Sequence, residues 1–286
     1  MEVMGLLEEF QDVLTDVPGL TALGEHSINL TSMDPVHSKP YPIPHAMQEV
    51  VEKELETMLS LGIIEPSSSA YASPVVIVRK ADGTNRVCVD CRKLNKITVF
   101  DPETMPQQEK IFAKLDKHKF FSTFDITKGY WQIPISENNK AYTAFVTRKG
   151  LHQFRVMPFG LVNAPATFNR LMRTLLYGTE HLDNYVDDVL AHTPGWQSHL
   201  IAMRDFLTRV RDAHLTLRPR KCLVGFYSVS YLGHCVGNST LEPKAEMVTK
   251  ILEAPKPTDK KQLRSFLGLV GYYRSLFPIL RPLRCH

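Results

Sequence analysis

The chain has 286 residues, of which 43% are hydrophobic and 22% charged, with a formal net charge of +4. This composition is typical of a globular protein with one large domain or two smaller ones, and it excludes the collagen, disulfide-scaffold and disordered classes. No apolar run reaches the roughly 20 residues of a membrane helix, the N-terminus lacks a signal-peptide pattern, and five cysteines suit a reducing compartment, so we expect a soluble, intracellular protein.

The charge is distributed unevenly along the chain. Residues 1–60 carry two basic and eleven acidic residues, a balance of −9, which leaves 32 basic and 19 acidic residues, or +13, for residues 61–286. This asymmetry favours a polyanionic partner for the later part of the chain. A solvated basic surface explains the same charge equally well.

The N-terminal third predicts helices separated by an extended connector. Apolar residues at helical spacing from Val3 to Leu14 predict a helix that Pro18-Gly19 ends. Four prolines within residues 31–45 predict the connector. From Ala46 to Leu59 the pattern is that of an amphipathic helix with an acidic outer face.

The middle of the chain mixes strand and helix patterns. Apolar runs at 74–78 and 86–89, separated by Asp82-Gly83, predict a β-hairpin. Further β segments are predicted at 120–126, 142–147, 152–156 and 184–191, the last of them hairpin-like. Helices are predicted at 164–177 and 196–214.

The C-terminal part predicts a β-rich stretch at 226–232 and then helices at 243–253 and 258–273. Asp259 and Gln262 resemble a capping box at the start of the last helix. Residues 244–286 carry nine basic and three acidic residues, which indicates a small basic helical subdomain. Interleaved strands and helices with hairpin signals give an α+β class, with an antiparallel sheet backed by helices.

Three carboxylates form the most informative pattern. Asp187 and Asp188 interrupt an apolar run, and both can serve one site only at or beside a hairpin turn, because neighbouring side chains on a strand point to opposite faces. Asp125 ends a β segment at the point where Thr127-Lys128-Gly129 breaks it. If the two segments are neighbours in one sheet, the cluster suits Mg²⁺; ordinary turn chemistry is the alternative for the Asp-Asp pair.

Other chemical motifs are weak. Cys88 and Cys91 have C-x₂-C spacing, but the downstream Cys222 and Cys235 lack it and the first pair falls on a predicted strand, so we expect thiols rather than a zinc site. The sequence has no Walker A or G-x-G-x-x-G loop. A nucleotide would therefore be held by metal and basic side chains.

Segments in one fixed order resemble the motifs of reverse transcriptases. They are VDCRKLN at 89–95, FDITKGYWQIP at 124–134, MPFGL at 157–161, APATF at 164–168, YVDD at 185–188, YLGH at 231–234 and FLGLVGYYR at 266–274. The wording is most similar to the gypsy-type LTR retrotransposon Pol polyproteins and covers roughly residues 10–282. The resemblance implies a right-hand α+β polymerase fold with fingers, palm and partial thumb, and RNA-directed as well as DNA-directed DNA polymerase activity.

The resemblance also implies a division of the chain. Its parts would be an N-terminal extension or connector at 1–45, fingers at 46–118 and 137–160, palm at 119–136 and 161–240 with a primer-grip hairpin, and a truncated thumb at 241–286. In this interpretation the chain stops where the family's thumb continues towards a connection and RNase H. The implied location is a cytoplasmic virus-like particle, with nuclear presence left open.

Carried over by position, the resemblance assigns residues to a two-metal site. Catalytic and metal-binding roles fall on Asp125, Asp187 and Asp188, with the backbone carbonyl of Ile126 as a further ligand for two Mg²⁺ ions; Mn²⁺ is the alternative ion. The implied nucleotide-binding residues are Lys80, Arg86, Ile126, Tyr130, Phe159 and Gly160, with Tyr130 excluding a ribose 2′-hydroxyl. The implied template and primer residues are Asp90, Arg92, Asn95, Pro165, Tyr185, Leu232, Gly233 and His234.

The implied partners are an RNA or DNA primer–template and dNTPs, without a membrane. A homo-oligomer, or association with RNase H and integrase parts of a polyprotein, is left open. Two alternatives stand beside the polymerase: a catalytically inactive, truncated remnant that only binds nucleic acid, and an assembly subunit that acts through the acidic N-terminal region.

Overall fold

The computed structural model describes residues 2–79, 83, 85–237 and 240–273. Its α-helices are α1 (Glu2–Glu9), α2 (His45–Ser60), α3 (Arg92–Ile97), α4 (Gln108–Phe112), α5 (Ala164–Leu175), α6 (Trp196–Asp212), α7 (Ala245–Leu252) and α8 (Lys260–Tyr272). Short 3₁₀ helices span Gly129–Gln132, Glu137–Thr143 and Pro219–Lys221. Within this part of the chain, no helix has both the length and the apolar character needed to cross a bilayer.

The strands of the described residues form separate sheets. They are β1 (Ile64–Pro66), β2 (Ser73–Arg79), β3 (Asn85–Val89), β4 (Phe120–Asp125), β5 (Phe145–Thr147), β6 (Gly150–Phe154), β7 (Leu182–Tyr185), β8 (Asp188–Thr193), β9 (Leu223–Phe226), β10 (Ser228–Tyr231), β11 (His234–Gly237) and β12 (Thr240–Pro243). A five-stranded sheet has the order β1-β6-β5-β2-β3, a four-stranded sheet β7-β8-β4-β9, and a three-stranded sheet β10-β11-β12. The α+β class predicted from the sequence is confirmed.

The five-stranded sheet differs from the purely antiparallel expectation in one pair. Strands β2 and β5 are parallel, with Ser73 opposite Phe145, whereas β2–β3, β1–β6 and β5–β6 are antiparallel. A hairpin fixes the direction of neighbouring strands. Because about 65 residues of chain separate β2 from β5, no such constraint acts on this pair.

The chain forms two compact units. The first contains Met1–Pro106, Phe124–Val189 and Met203–Cys222, and the second contains Gln107–Thr123, Leu190–Ala202 and Leu223–His286. Strands β4 and β8 and helix α6 continue from one unit into the other. The first unit buries Leu55, Leu94, Ile133 and Phe168; the second buries Phe121, Leu190, Val229 and Val236.

Several predicted elements were wrong in extent. The strand expected at 142–147 begins only at Phe145, because the preceding residues close 3₁₀ turns, with the hydroxyl of Thr143 donating to the carbonyl of Lys140 at 2.7 Å. The first helix ends at Glu9 and does not reach Pro18, because Thr15 forms a main-chain hydrogen bond to Leu217 at 3.0 Å instead. Tertiary pairing overrides helical periodicity at this point.

The predicted capping box at the last helix is confirmed. Asp259 Oδ1 accepts the main-chain N–H of Gln262 at 2.7 Å, and Gln262 Oε1 accepts the main-chain N–H of Thr258 at 2.9 Å. These bonds satisfy donors that the first turn of α8 leaves without helical partners. The start of α8 is therefore encoded locally.

Residues 9–21, here called the N-terminal strap, are tied to basic residues of the same unit. Each of the following ion pairs joins one carboxylate to one arginine: Glu9–Arg204 at 2.5 Å, Asp12–Arg211 at 2.5 Å and Asp16–Arg218 at 3.5 Å. The guanidinium of Arg211 also lies 4.1 Å from the ring centre of Phe10. Part of the charge asymmetry in the sequence is therefore neutralised inside the first unit.

Candidate active site

Asp125 is placed at the end of β4, where the strand gives way to a tight turn. Phe124 anchors the strand end in the core, with its ring centre 4.8 Å from that of Phe206. The main-chain carbonyl of Asp125 accepts the N–H of Arg218 at 2.9 Å. Lys128 then adopts a left-handed conformation with φ of 46°, which turns the chain away from the strand direction.

The two adjacent aspartates lie at the turn between β7 and β8. Val186 has a φ of 55°, a conformation that is strained for a β-branched residue, and Asn184 Nδ2 donates to its carbonyl at 3.1 Å. Asp187 and Asp188 are both exposed. The condition for both acids to serve one site, a position at a hairpin turn, is therefore met.

A cavity of about 550 Å³ in the first unit brings the two motifs together. The predicted residues that line it are Asp125, Ile126, Asp187, Arg86, Tyr130 and Phe159. The main-chain N–H of Ile126 donates to the carbonyl of Asp187 at 3.4 Å, which links the turn after β4 to the β7–β8 turn. Asp188 begins β8 beside Asp187 but is not among the lining residues.

Basic side chains that the sequence interpretation did not assign also line this cavity. They are Lys128, Arg218 and Lys221, and Glu54 adds one further carboxylate. Arg218 and Lys221 lie more than 90 residues from Asp125 along the chain, so spacing gave no signal for them. The lining thus combines four basic groups with three carboxylates, a composition suited to a phosphate-bearing ligand and a cation.

Lys221 makes the shortest polar contact to the catalytic-type acid. Its Nζ lies 2.7 Å from Asp125 Oδ2, and the side chain of Asp125 is only 13% exposed. An ammonium group thus occupies the place where the carboxylate would meet a metal ion. Carboxylate oxygens are ligands that Mg²⁺ prefers, so the donor chemistry of Asp125 and Asp187 fits a divalent cation.

Aromatic rings form one wall of the cavity. Tyr130 stacks on Phe159 with 5.1 Å between ring centres and lies 5.5 Å from Phe168. The Arg86 guanidinium lies 4.4 Å from the centre of the Phe159 ring. Burial raises the pKa of Tyr130, and the negative charge of Asp187 raises it further, so the hydroxyl stays protonated at neutral pH.

A second group of predicted residues lies on the surface of the first unit, outside the cavity lining. Arg92 donates to both carboxylate oxygens of Asp90, at 2.8 and 2.7 Å, and this charge-assisted contact lowers the pKa of Asp90 to about 2. Tyr41 donates to the same carboxylate at 3.1 Å. Asn95 Nδ2 donates to the carbonyl of Gly160 at 2.8 Å. Asp90 therefore faces Arg92 and holds its exposed guanidinium in place.

The predicted primer-grip turn lies in the second unit, between β10 and β11. Leu232 and Gly233 have positive φ angles of 47° and 75°, and His234 is buried. The hydroxyl of Tyr272 donates to the carbonyl of Leu232 at 2.8 Å, and that of Tyr273 donates to the carbonyl of Gly233 at 3.1 Å. Two tyrosines at the end of α8 thus hold this turn, a contact that the sequence did not indicate.

The remaining predicted residues are placed as follows. Pro165 is half-buried in the first turn of α5, and Tyr185 is half-buried at the end of β7. Lys80, Asp82 of the predicted hairpin turn, and residues 274–286 of the predicted thumb lie outside the described residues.

Comparisons with known proteins agree with these motifs. A family model described as "Reverse transcriptase (RNA-dependent DNA polymerase)" matches residues 78–236. The chain is 38% identical over 261 residues to the retrovirus-related Pol polyprotein from transposon 297 of Drosophila melanogaster, a match that covers 89% of this chain and 25% of the relative. It is 34% identical over 258 residues to the Pol polyprotein from transposon gypsy of the same organism, which covers 87% and 25%. The chain therefore spans about a quarter of these relatives, and the predicted gypsy-type resemblance is confirmed.

A solved structure shares the fold. The foamy viral protease-reverse transcriptase in complex with double-stranded DNA matches 96% of this chain and 49% of its own, with a TM-score of 0.89 and 24% identity. The same viral protein in complex with an RNA/DNA hybrid matches with a TM-score of 0.86. This likeness confirms the α+β polymerase fold predicted from the sequence.

Proposed function

Because this chain belongs to the reverse transcriptase (RNA-dependent DNA polymerase) family, we propose that it extends a primer with dNTPs on RNA and DNA templates and releases pyrophosphate. One observation carries the proposal: Asp125, Asp187 and four basic side chains line a single cavity. Its volume of about 550 Å³ lies within the usual range of roughly 300–1,000 Å³ for small-molecule sites.

The side chains of the cavity divide the work of holding a nucleoside triphosphate. Arg86, Lys128 and Arg218 provide positive charge for the phosphates, and we assign Lys80 to the same group. The rigid ring of Tyr130, supported by Phe159 and Phe168, would exclude a 2′-hydroxyl. Selection of deoxynucleotides therefore depends on an aromatic wall rather than on a single side chain.

The carboxylates of Asp125, Asp187 and Asp188, with the carbonyl of Ile126, would hold two divalent cations, Mg²⁺ or Mn²⁺. Such ions, when bound, would lower the pKa of the primer 3′-hydroxyl and neutralise charge on the leaving pyrophosphate. Asp125 has to exchange the ammonium of Lys221 for a metal ion before it can contribute. Lys221 keeps this carboxylate paired until then.

We assign primer–template contacts to residues around the cavity and in the second unit. Arg92, Asn95, Gly160, Pro165 and Tyr185 would contact the template or the terminal base pair, and Asp90 would act through Arg92. Leu232, Gly233 and His234 would hold the primer end. Fingers, palm and thumb follow the divisions given above.

The larger context is also a proposal. Since the relatives are about four times longer than the matched segment, we infer a place within a retrotransposon Pol polyprotein, in a cytoplasmic virus-like particle. Association with RNase H or integrase parts, and homo-oligomer formation, stay predictions. Size measurement of the purified chain, alone and with such parts, tests them.

Primer extension on an RNA template with dNTPs and Mg²⁺ tests the activity. We expect templated addition by the wild type and a loss of at least about 100-fold in Asp187→Asn, because a neutral amide is a poorer ligand for a divalent cation. The matched control is Asp205→Asn, which removes a surface carboxylate that pairs with Arg209 on α6. Unchanged extension by Asp187→Asn would contradict the assignment. Absence of extension by the wild type, with salt-sensitive duplex binding retained, would favour the inactive nucleic-acid-binding alternative.

A further inference from the structure

Gln132 lies at the centre of a buried hydrogen-bond network beside the cavity. Its side chain is fully buried, and its carboxamide contacts only main-chain groups. Nε2 donates to the carbonyls of Thr127 at 2.6 Å and Thr216 at 3.0 Å, and Oε1 accepts the N–H of Thr216 at 2.8 Å and of Gly19 at 3.3 Å. Both donors and both lone pairs of the amide are therefore used.

These bonds join distant parts of the first unit. Thr127 belongs to the turn that follows Asp125, Gly19 belongs to the N-terminal strap, and Thr216 lies in the segment that leads to Arg218 and Lys221. Independent contacts run between the same parts: Thr127 N–H to Thr216 O at 3.0 Å, Thr127 Oγ1 to Thr15 O at 2.8 Å, and Gly19 N–H to Thr216 Oγ1 at 3.1 Å. The segment at 216 is thus held between the strap and the turn after β4.

This segment carries cavity residues on its far side. Two residues after Thr216, the N–H of Arg218 bonds the carbonyl of Asp125, and three residues later Lys221 contacts its carboxylate. A displacement of Thr216 would therefore shift both basic side chains against Asp125.

We propose that Gln132 is a positioning residue for the nucleotidyl-transfer site: its amide sets the distance between the turn that follows Asp125 and the segment that carries Arg218 and Lys221. The inference rests on the proposed polymerase function. It adds a residue that touches neither nucleotide nor metal, and it gives the N-terminal strap a role in holding the site.

Two replacements of Gln132 separate positioning from simple packing. Gln132→Met keeps the approximate length and burial but removes every hydrogen bond of the amide. Gln132→Glu keeps the shape; as a carboxylate it cannot donate to Thr127 or Thr216, whereas the protonated acid can make one such bond. Burial raises the pKa of an introduced carboxyl, so protonation falls within an accessible pH range. None of the present hydrogen-bond partners of the amide titrates.

The test compares kcat and KM for dNTP between about pH 6 and pH 9. We expect Gln132→Met to lose at least tenfold in kcat at every pH, with dNTP KM within threefold and duplex Kd within twofold of wild type. We expect Gln132→Glu to lose as much at pH 9 and to regain at least fivefold, relative to wild type, by pH 6. The matched control is Asn169→Asp, another buried amide that donates to a main-chain carbonyl, that of Thr104 at 2.6 Å, and it should keep kcat within twofold.

Hydrogen exchange of the purified chain gives a readout without activity. Gln132→Met should exchange faster than wild type in peptides covering 125–128 and 215–221, while peptides covering α5 stay unchanged. Wild-type kcat in both Gln132 variants, or faster exchange spread evenly over the first unit, overturns the inference. If the wild type itself does not extend a primer, the proposed function fails, and the exchange pattern alone decides whether Gln132 positions these segments.

Discussion

Gly129 permits the close approach that builds the aromatic wall, and Gly129→Ala tests this contact. An added Cβ would lie 2.7 Å from Cε2 and 2.9 Å from Cζ of Phe168, about 1 Å inside normal carbon–carbon contact. Phe168 is fully buried, so its ring cannot swing into solvent. Overpacking of this kind costs about 1–3 kcal/mol of unfolding free energy.

The displaced ring also supports Tyr130, which lies 5.5 Å away. We therefore expect Gly129→Ala to lower the urea midpoint and to reduce the preference for dNTPs over rNTPs, measured as a ratio of kcat/KM, by at least fivefold. Gly5→Ala is the control, because a Cβ there meets nothing within 4 Å; alanine in this helix should be neutral or add up to about 1 kcal/mol.

A double mutant checks that Phe168 is the cause. In Gly129→Ala with Phe168→Leu, the smaller side chain gives room to the new methyl group, so the combined loss should be about 1 kcal/mol less than the sum of the single losses. Unchanged stability and unchanged sugar discrimination in Gly129→Ala would refute the steric reasoning. Strict additivity in the double mutant would place the strain elsewhere.

Further changes probe other contacts of the first unit. Tyr130→Ala should admit ribonucleotides while dNTP use is largely kept, in single-nucleotide extension; unaltered discrimination would contradict the gate. Lys221→Met should tighten Mn²⁺ binding, measured by calorimetry without substrate, by up to about fivefold, since the half-exposed ammonium no longer competes for Asp125, whereas Lys250→Met should change nothing. Asp90→Asn should destabilise the fold at pH 7, and the gap to wild type should narrow between about pH 4 and pH 2. The reason is that Arg92 holds the pKa of the folded-state Asp90 near 2, below its unfolded value, so the carboxylate's contribution is complete above pH 4 and is lost as pH falls. A gap independent of pH would contradict this.

Local patterns predicted the elements of the fold well where hydrophobic periodicity was strong. Helices α2, α5 and α6 and the paired strands β2 and β3 lie where periodicity and the Asp82-Gly83 signal predict them. Asp125 and the Asp187-Asp188 pair were found because charged residues inside apolar runs are conspicuous. The hairpin geometry that both acids require follows from the alternation of side chains along a strand, which is a local property of the chain.

Contacts between distant segments could not be predicted in the same way. Nothing in the sequence shows that Lys221 meets Asp125, or that Thr15 leaves the helical pattern to pair with Leu217. Gln132 looked like one more residue of a motif, because an amide that bonds only main-chain groups leaves no complementary side chain to recognise. Such information resides in the tertiary arrangement.

The three ion pairs of the N-terminal strap act as a built-in competitor for phosphate. To use Arg204, Arg211 or Arg218, a nucleic acid has to displace Glu9, Asp12 or Asp16. A fragment that begins after residue 20 would leave these guanidinium groups open and would gain sequence-independent, salt-sensitive affinity while losing support for Thr216. Selection of shortened variants by binding strength alone would therefore favour chains that bind nucleic acid more tightly and copy it less well.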